Sequence, residues 1–194
     1  MQRGKLLLNF FRLREQGIVL ALIFLFIGFS LTTPHFLRAT NLLNVLRQVS
    51  LLGIIAVGMT MTIISGEIDL SVGAVYGIAA VTCGLLARAG YPIWLAMAMA
   101  VAIGMLVGFS NGLLVNYVKI SSLIVTLGML NVVRGSYLLV TGGLPVFLSA
   151  QTVPDPNLPA FFFLGQGKIV DLIPMLAVFF IGVVIFGYVI CHRS

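Results

Sequence analysis

The chain has 194 residues, of which 60% are hydrophobic and only 8% are charged. A soluble domain of average composition carries about 25% charged residues, so this composition excludes an ordinary soluble globular fold. Five acidic residues, two histidines and two cysteines without CxxC spacing also argue against a metal centre, a disulfide framework and acid/base catalysis. The long uncharged runs instead predict an all-α, polytopic transmembrane helix bundle.

The chain begins with a basic segment, residues 1–16. Four of the eleven cations behind the net charge of +6 lie there: Arg3, Lys5, Arg12 and Arg14. This cluster predicts a cytoplasmic anchor beside anionic lipid and not a nucleic-acid surface. A signal peptide with its apolar core at 17–31 is the alternative. It lacks an A-x-A-like cleavage site, and further apolar segments follow it.

Six apolar stretches of near-spanning length then follow, and together they define a predicted membrane domain at 17–190. The predicted spans are 17–33, 49–65, 70–87, 93–115, 121–140 and 172–190. Alternating polar and apolar residues at 35–48 predict a short amphipathic interfacial helix before the second span. A polar loop at 141–171 carries four of the seven prolines.

An even number of spans places both termini on the same side of the membrane. With both termini in the cytoplasm, the inner segments hold six Lys and Arg residues and the outer segments hold four. This mild bias predicts cytoplasmic N- and C-termini. The 141–171 loop would then be extracytoplasmic, and the turns at Glu67 and Lys119 cytoplasmic.

Small residues recur at helical spacing in the third and fourth predicted spans. The positions are Gly73 and Gly77 in the third, and Gly104, Gly108 and Gly112 in the fourth. Such faces let helix backbones approach closely in lipid. Packing within one chain and a homodimer seam both fit the pattern.

Three ionisable residues lie at or near membrane depth, where charge is costly. Arg134 falls inside the fifth span and would either extend its guanidinium to the outer interface or face a hydrophilic pathway. Glu67 and Asp69 precede the third span. They would complement the positive end of that helix, with Asp69 or Ser71 as its N-cap, or form a salt bridge to another chain.

Uncharged polar residues are scattered through the fourth and fifth spans, Asn111 and Thr126 among them. Each alone is typical of a hydrogen bond between helices. Together they favour a pathway for a neutral, hydroxyl-rich solute over an ion pathway, which usually shows charged rings or carbonyl filters.

Three motifs carry the strongest functional signal in the chain. Residues 65–73 read SGEIDLSVG, residues 111–115 read NGLLV ahead of Lys119, and residues 124–128 read IVTLG ahead of Arg134. In order and spacing these motifs resemble those of the ribose-type branch of bacterial ABC sugar-importer permeases.

The first motif is similar to the GGIDLSVG segment of that family, except that Glu67 stands where a second glycine is usual. Residues 41–48 resemble the stretch before the family's second span. The resemblance covers residues 15–193, so we expect the chain to be the N-terminal part of such a permease.

The resemblance implies a multi-pass inner-membrane transport subunit that is not itself an enzyme, has no catalytic residues and needs no cofactor. Two permease subunits, identical or different, would form one path for a sugar or a sugar-like solute. A separate ABC ATPase subunit would drive it, and an extracytoplasmic sugar-binding protein would dock on outer loops that include 141–171. Residues 69–73 and Arg134 become candidates at or near the path.

Family members continue past the sixth span into a cytoplasmic loop that couples to the ATPase. Here residues 191–194 would be only the start of that loop, so the resemblance leads us to expect a truncated product. The alternative function is an ion-coupled secondary transporter subunit, with Glu67 or Asp69 as its intramembrane acid.

Overall fold

The computed structural model describes residues 16–169 and 173–193. The predicted basic anchor, apart from residue 16, lies outside the described residues, as do Asp171 and Ser194. The all-α membrane-helix class is confirmed, because long apolar α-helices account for most of the described chain. The chain divides into two compact units between residues 46 and 47.

The N-terminal unit contains helix α1 (Gln16–Thr32) and the start of helix α2 (Ala39–Ile64). The hydroxyls of Ser30 and Thr32 donate to carbonyls four residues earlier in α1, which satisfies these polar groups within the helix. The helix ends before Pro34, as the sequence predicts, and Phe36 of the following turn stacks on Phe29 with ring centroids 5.8 Å apart.

Helix α2 corrects one expectation. The polar and apolar residues that predicted a separate interfacial helix at 35–48 belong, from Ala39 onward, to one continuous helix of 26 residues. Neither proline nor glycine lies between positions 39 and 52, so nothing in the backbone chemistry interrupts the helix there.

Helix α2 ends in a glycine-capped turn. Gly66 adopts a left-handed conformation with φ of 80°, Gly66 N–H donates to Ile63 O, and Glu67 N–H donates to Thr62 O. These two bonds form a Schellman cap, which satisfies carbonyls at the helix end. Helix α3 (Val72–Arg88) closes in the same way at Gly90, which has a φ of 90°.

Helices α4 (Ile93–Asn116) and α5 (Ser122–Thr141) follow after short turns. Helix α3 packs against both, and α4 also packs against α5, so these helices form the best-packed part of the described chain. The turn between α4 and α5 places Lys119, a residue with a side chain, in the left-handed region with φ of 62°.

The predicted polar loop at 141–171 is wrong in one respect, because it contains helix α6 (Leu158–Gln166). Pro159 lies in the first turn of α6, where a missing N–H costs nothing, and the apolar run after it continues the helix. Short strands β1 (Lys168–Ile169) and β2 (Ile173–Pro174) then pair antiparallel and lead into helix α7 (Met175–Arg193), which packs against α6.

By length and composition, three described helices can cross a membrane: α2, α4 and α5. Apolar helices of 16 or 17 residues lie at Gly17–Thr32, Val72–Arg88 and Met175–Ile190. Seventeen residues of helix are about 26 Å long, close to the roughly 30 Å hydrocarbon core. Large apolar side chains are strongly exposed, for example Leu31 at 82% and Leu139 at 84%, as expected for surfaces that contact lipid or other helices.

Candidate functional site

The segment between α2 and α3, residues 65–70, is a non-helical break whose backbone is held by side chains of α5. Ile68 N–H donates to Ser122 Oγ over 3.4 Å. Thr126 Oγ1 donates to Ser122 O of its own helix over 2.8 Å and lies 3.4 Å from Ile68 O. We use the name polar junction for the cluster of five side chains from Ser122, Thr126, Asp69, Ser71 and Asn111.

Asp69 and Ser71 start helix α3 within the polar junction. Asp69 Oδ1 accepts hydrogen bonds from Ser71 N–H over 2.8 Å and from Ser71 Oγ over 2.6 Å. The carboxylate therefore satisfies a backbone donor at the helix start and complements the positive end of the helix dipole. Ser71 occupies the N-cap position and is fully buried.

Asn111 of α4 joins the polar junction through Ser71. The single hydroxyl hydrogen of Ser71 goes to Asp69, so Ser71 Oγ has only acceptor capacity left, and it accepts from Asn111 Nδ2 over 2.9 Å. Because Ser71 Oγ can only accept here, the Asn111 side chain must present its Nδ2 group to Ser71, which fixes the orientation of the amide. Its Oδ1 is buried without a hydrogen-bond partner among the described residues. An unsatisfied buried acceptor costs about 1–3 kcal/mol.

A polar pocket of about 460 Å³ adjoins the polar junction and shares Ser122 with it. Its polar wall comes from the break before α3 and from the α4–α5 turn: Gly66, Glu67, Asn116, Lys119, Ser121 and Ser122. Glu67 and Lys119 are exposed, so the pocket carries both charge signs at its surface. Val115, one helical turn from Asn111 on α4, is also part of the wall.

The remaining predicted site residues do not join this cluster. Arg134 is exposed and lies two turns further along α5 than Thr126. A Cβ added at Gly77 would come within 2.9 Å of the Tyr137 ring, and one at Gly104 within 3.5 Å of Val75. Among the described residues, no atom lies within 4 Å of a Cβ added at Gly73, Gly108 or Gly112.

A second organised region lies at the opposite end of α3 and α4, and sequence reasoning missed its key residue. Asp155 Oδ2 accepts from Ile93 N–H, the first residue of α4, over 2.6 Å, and Asp155 Oδ1 accepts from Asn157 N–H over 2.7 Å. The backbone N–H group of Asn157 and, to a smaller extent, that of Ile93 stabilise the charged carboxylate. They therefore lower the pKa of the Asp155 carboxyl below its ordinary 3.8. The Asp155-Pro156-Asn157 sequence predicts a local turn, but nothing in it identifies Ile93 as a hydrogen-bond partner of Asp155.

Apolar packing accompanies this carboxylate cap. Ala87, Ile93 and Ala96 are fully buried, and Val153 and Leu158 pack over them at 2% exposure each. We call these residues and Asp155 the capped core. Fully burying a side chain such as Val or Leu contributes about 1.5–3 kcal/mol, so the capped core anchors part of the 141–157 segment to the α3–α4 turn.

The described residues offer no group of three or more His, Cys, Asp or Glu side chains that could hold a metal ion. The polar junction instead presents hydroxyl, amide and backbone groups together with the Asp69 carboxylate, which is bonded to Ser71. Such groups can exchange hydrogen bonds with a neutral polar solute.

Comparison with known proteins decides the family. Residues 41–194 match the family model described as the permease component of the branched-chain amino acid transport system. The chain belongs to this permease family. The membership predicted from the motifs at 65–73, 111–115 and 124–128 is thereby confirmed.

Curated relatives of this permease are transport components rather than enzymes. It is 35% identical to the L-arabinose ABC transporter permease protein AraH of Azospirillum brasilense over 92% of the chain and 50% of the relative. It is 32% identical to the autoinducer 2 import system permease protein LsrD of Klebsiella pneumoniae over 93% of the chain and 53% of the relative. These matches support the ribose-type, sugar-importer branch of the family.

A third relative, the autoinducer 2 import system permease protein LsrC of Salmonella typhi, is 35% identical over 73% of the chain and 42% of its own length. The chain thus spans about half the length of the curated relatives it matches. No solved structure matches it.

Proposed function

We propose that this chain is part of the permease subunit of an ATP-binding-cassette importer that carries a sugar or a sugar-like solute into the cell. Membership of the permease family carries the proposal, and the sugar ABC permeases among the relatives support the solute class. The uncharged chemistry of Ser71, Asn111 and Thr126 agrees with a neutral, hydroxyl-bearing solute.

The polar junction and the polar pocket are the proposed part of the solute path. Buried hydrogen-bonding groups from α3, α4 and α5 meet there, beside a non-helical break. The start of α3 and the backbone of this turn between two predicted spans supply hydrogen-bonding groups that a solute can use. Asp69 would position Ser71, while Glu67 would lie at the mouth of the pocket.

Arg134 lies apart from the polar junction and is proposed to face the pathway nearer the outer surface. Its long side chain can keep the guanidinium in a polar environment while its aliphatic part stays among apolar neighbours. The glycine faces of α3 and α4 are proposed to serve helix packing, within this chain at Gly77 and against another helix at Gly108 and Gly112.

The proposed topology is multi-pass in the inner membrane, with six spans and both termini in the cytoplasm. The three long apolar helices and the three shorter ones support the number of spans. In this orientation the polar pocket opens to the cytoplasm, and the capped core lies on the extracytoplasmic side.

The proposed partners follow from the function. A separate ATPase subunit would hydrolyse ATP, a second permease subunit would complete the path, and an extracytoplasmic binding protein would deliver the solute. The segment at 141–157 would present part of the docking surface for that binding protein.

Uptake in the native host tests this function. The gene that encodes the chain is disrupted and restored in trans, and uptake of radiolabelled L-arabinose, D-ribose and autoinducer 2 is measured. Disruption should abolish uptake of at least one of these solutes. That uptake should persist when a protonophore collapses the proton gradient and should stop when arsenate depletes ATP.

Unchanged uptake of all tested solutes in the disrupted strain would contradict the proposed solute class. Loss of uptake on addition of the protonophore alone, with ATP maintained, would instead favour the ion-coupled alternative. A strain carrying an unrelated sugar permease disruption is the control for general effects on growth and membrane energy.

A further inference from the structure

The Asn111 amide is the most informative unexplained group in the polar junction. Its Nδ2 is committed to Ser71 Oγ, its Oδ1 is buried, and the residue as a whole is only 6% exposed. Among the described residues Oδ1 has no partner. Buried polar atoms are nearly always hydrogen-bonded, so this acceptor points to a donor that the described chain does not supply.

The position of this acceptor follows from covalent geometry. The oxygen and nitrogen of an amide lie about 2.2 Å apart, so Oδ1 lies within about 5 Å of Ser71 Oγ. It therefore sits at the N-terminal end of α3. One turn along α4, Val115 already lines the polar pocket, which is large enough for a small solute.

The chemistry of Oδ1 restricts what can bind. A carbonyl oxygen accepts and cannot donate, so an anion without a hydrogen to give has no favourable contact with it. An ammonium group would need the nearby Asp69 carboxylate as its counter-ion, but Asp69 Oδ1 already accepts two hydrogen bonds from Ser71. A neutral hydroxyl needs no counter-ion and is the donor that fits the solute class of the proposed function.

We propose that Asn111 recognises the transported solute, with Oδ1 accepting a hydrogen bond from one hydroxyl group of that solute. The solute approaches through the polar pocket and reaches Asn111 when the wall at Val115 moves aside. Asp69 and Ser71 are positioning residues, because their hydrogen bonds turn the amide so that its oxygen is the free atom. This inference rests on the proposed function and adds the side-chain contact that recognises the solute.

The test combines a residue change with removal of single hydroxyls from the solute. Uptake kinetics of L-arabinose, D-ribose and their monodeoxy derivatives are measured in the host strain for the wild type and for Asn111→Leu, which has similar volume and no polar atoms. In the wild type, removing the recognised hydroxyl should raise KM about tenfold. In Asn111→Leu the parent sugar should show that higher KM, and removing the same hydroxyl should cause no further change.

Two further variants separate recognition from folding. Asn111→Ala repeats the measurement if Asn111→Leu does not accumulate in the membrane. Asn131→Leu is the matched control, because Asn131 is exposed and its Nδ2 donates to Leu127 O in its own helix. It should leave the KM of every sugar unchanged.

Three outcomes decide the proposal. The proposal is supported if, in the Asn111 variants, the KM of one deoxy sugar becomes equal to the KM of its parent sugar. If the wild type takes up sugar but the Asn111 variants change the KM of every sugar equally, the proposal is overturned and the proposed function stands. The same conclusion follows if these variants change no KM. Absence of wild-type uptake both for all the sugars and for autoinducer 2 contradicts the proposed function and the recognition role with it.

Discussion

Two aspartates cap helix starts at opposite ends of the α3–α4 pair, and they do so by different routes. Asp69 bonds to Ser71, two residues away, whereas Asp155 reaches Ile93 across 62 positions of sequence. Around Asp155 the neighbours are apolar and closely packed. Around Asp69 they are polar, and one of them, Asn111, keeps an acceptor without a partner among the described residues.

This difference separates a region built for stability from one suited to binding. The capped core combines a carboxylate with two backbone donors and fully buried apolar side chains, so its groups are satisfied. The polar junction holds irregular backbone with long hydrogen bonds of 3.4 Å and an open acceptor. Binding sites are commonly drawn from such less stable regions.

The largest effect on stability is expected from shortening Leu158 in the capped core. Leu158→Ala removes buried methyl groups from a side chain that is 2% exposed and should destabilise the protein by about 2–4 kcal/mol. Thermal unfolding of the purified protein in detergent measures the change. Leu144→Ala is the matched control, since Leu144 is 71% exposed and should have little effect.

Equal destabilisation by the two leucine changes would contradict the assignment of Leu158 to a packed core. It would also mean that apolar burial does not distinguish the capped core from the polar junction. The comparison between the two regions rests on that burial.

A smaller, pH-dependent effect is expected at Asp155. The lowered pKa means that the native state favours the charged carboxylate, so its contribution to stability is present above the ordinary value of 3.8 and is lost as pH falls through the lowered pKa. As pH is lowered from about 5, the hydrogen–deuterium exchange protection factors at 142–157, which correct for the change of the intrinsic exchange rate with pH, should therefore fall more steeply in the wild type than in Asp155→Asn.

Asp69 provides the comparison for this measurement. Asp69→Asn should leave exchange at 142–157 unchanged at every pH, because Asp69 lies at the other end of α3. If the wild type and Asp155→Asn show the same pH dependence, Asp155 does not hold the segment at 142–157 in place.

Local chemistry explains how much of this fold could be predicted. Uncharged apolar runs are local signals, and the spans predicted from them match most helix limits to within a few residues. The observed helix ends near Pro34, Gly66 and Gly90 are local features as well. The interfacial helix before span two was wrong because a polar pattern at 39–48 does not interrupt a helix without a breaker. Helix α6 was missed because four prolines at 141–171, all before the helix or in its first turn, suggested a loop.

The candidate site was predictable in its residue types and not in its contacts. Asp69 or Ser71 was expected as the N-cap of α3. Ser71 takes that position, and Asp69 accepts hydrogen bonds from Ser71 N–H and Oγ–H, two residues away in sequence. The bond from Asn111 to Ser71 and the cap from Asp155 to Ile93 join positions 40 and 62 residues apart. Packing of helices, which sequence pattern does not specify, brings those partners together.

The most direct test of the central claim is solute protection at the polar pocket. In a background with Cys83→Ala and Cys191→Ser, the variant Ser122→Cys is treated with a membrane-impermeant maleimide in inside-out vesicles that contain the complete transport system. We predict labelling from the cytoplasmic face that slows when the imported sugar is added. Labelling that the sugar leaves unchanged, or no labelling from that face, would contradict a solute path through the polar junction.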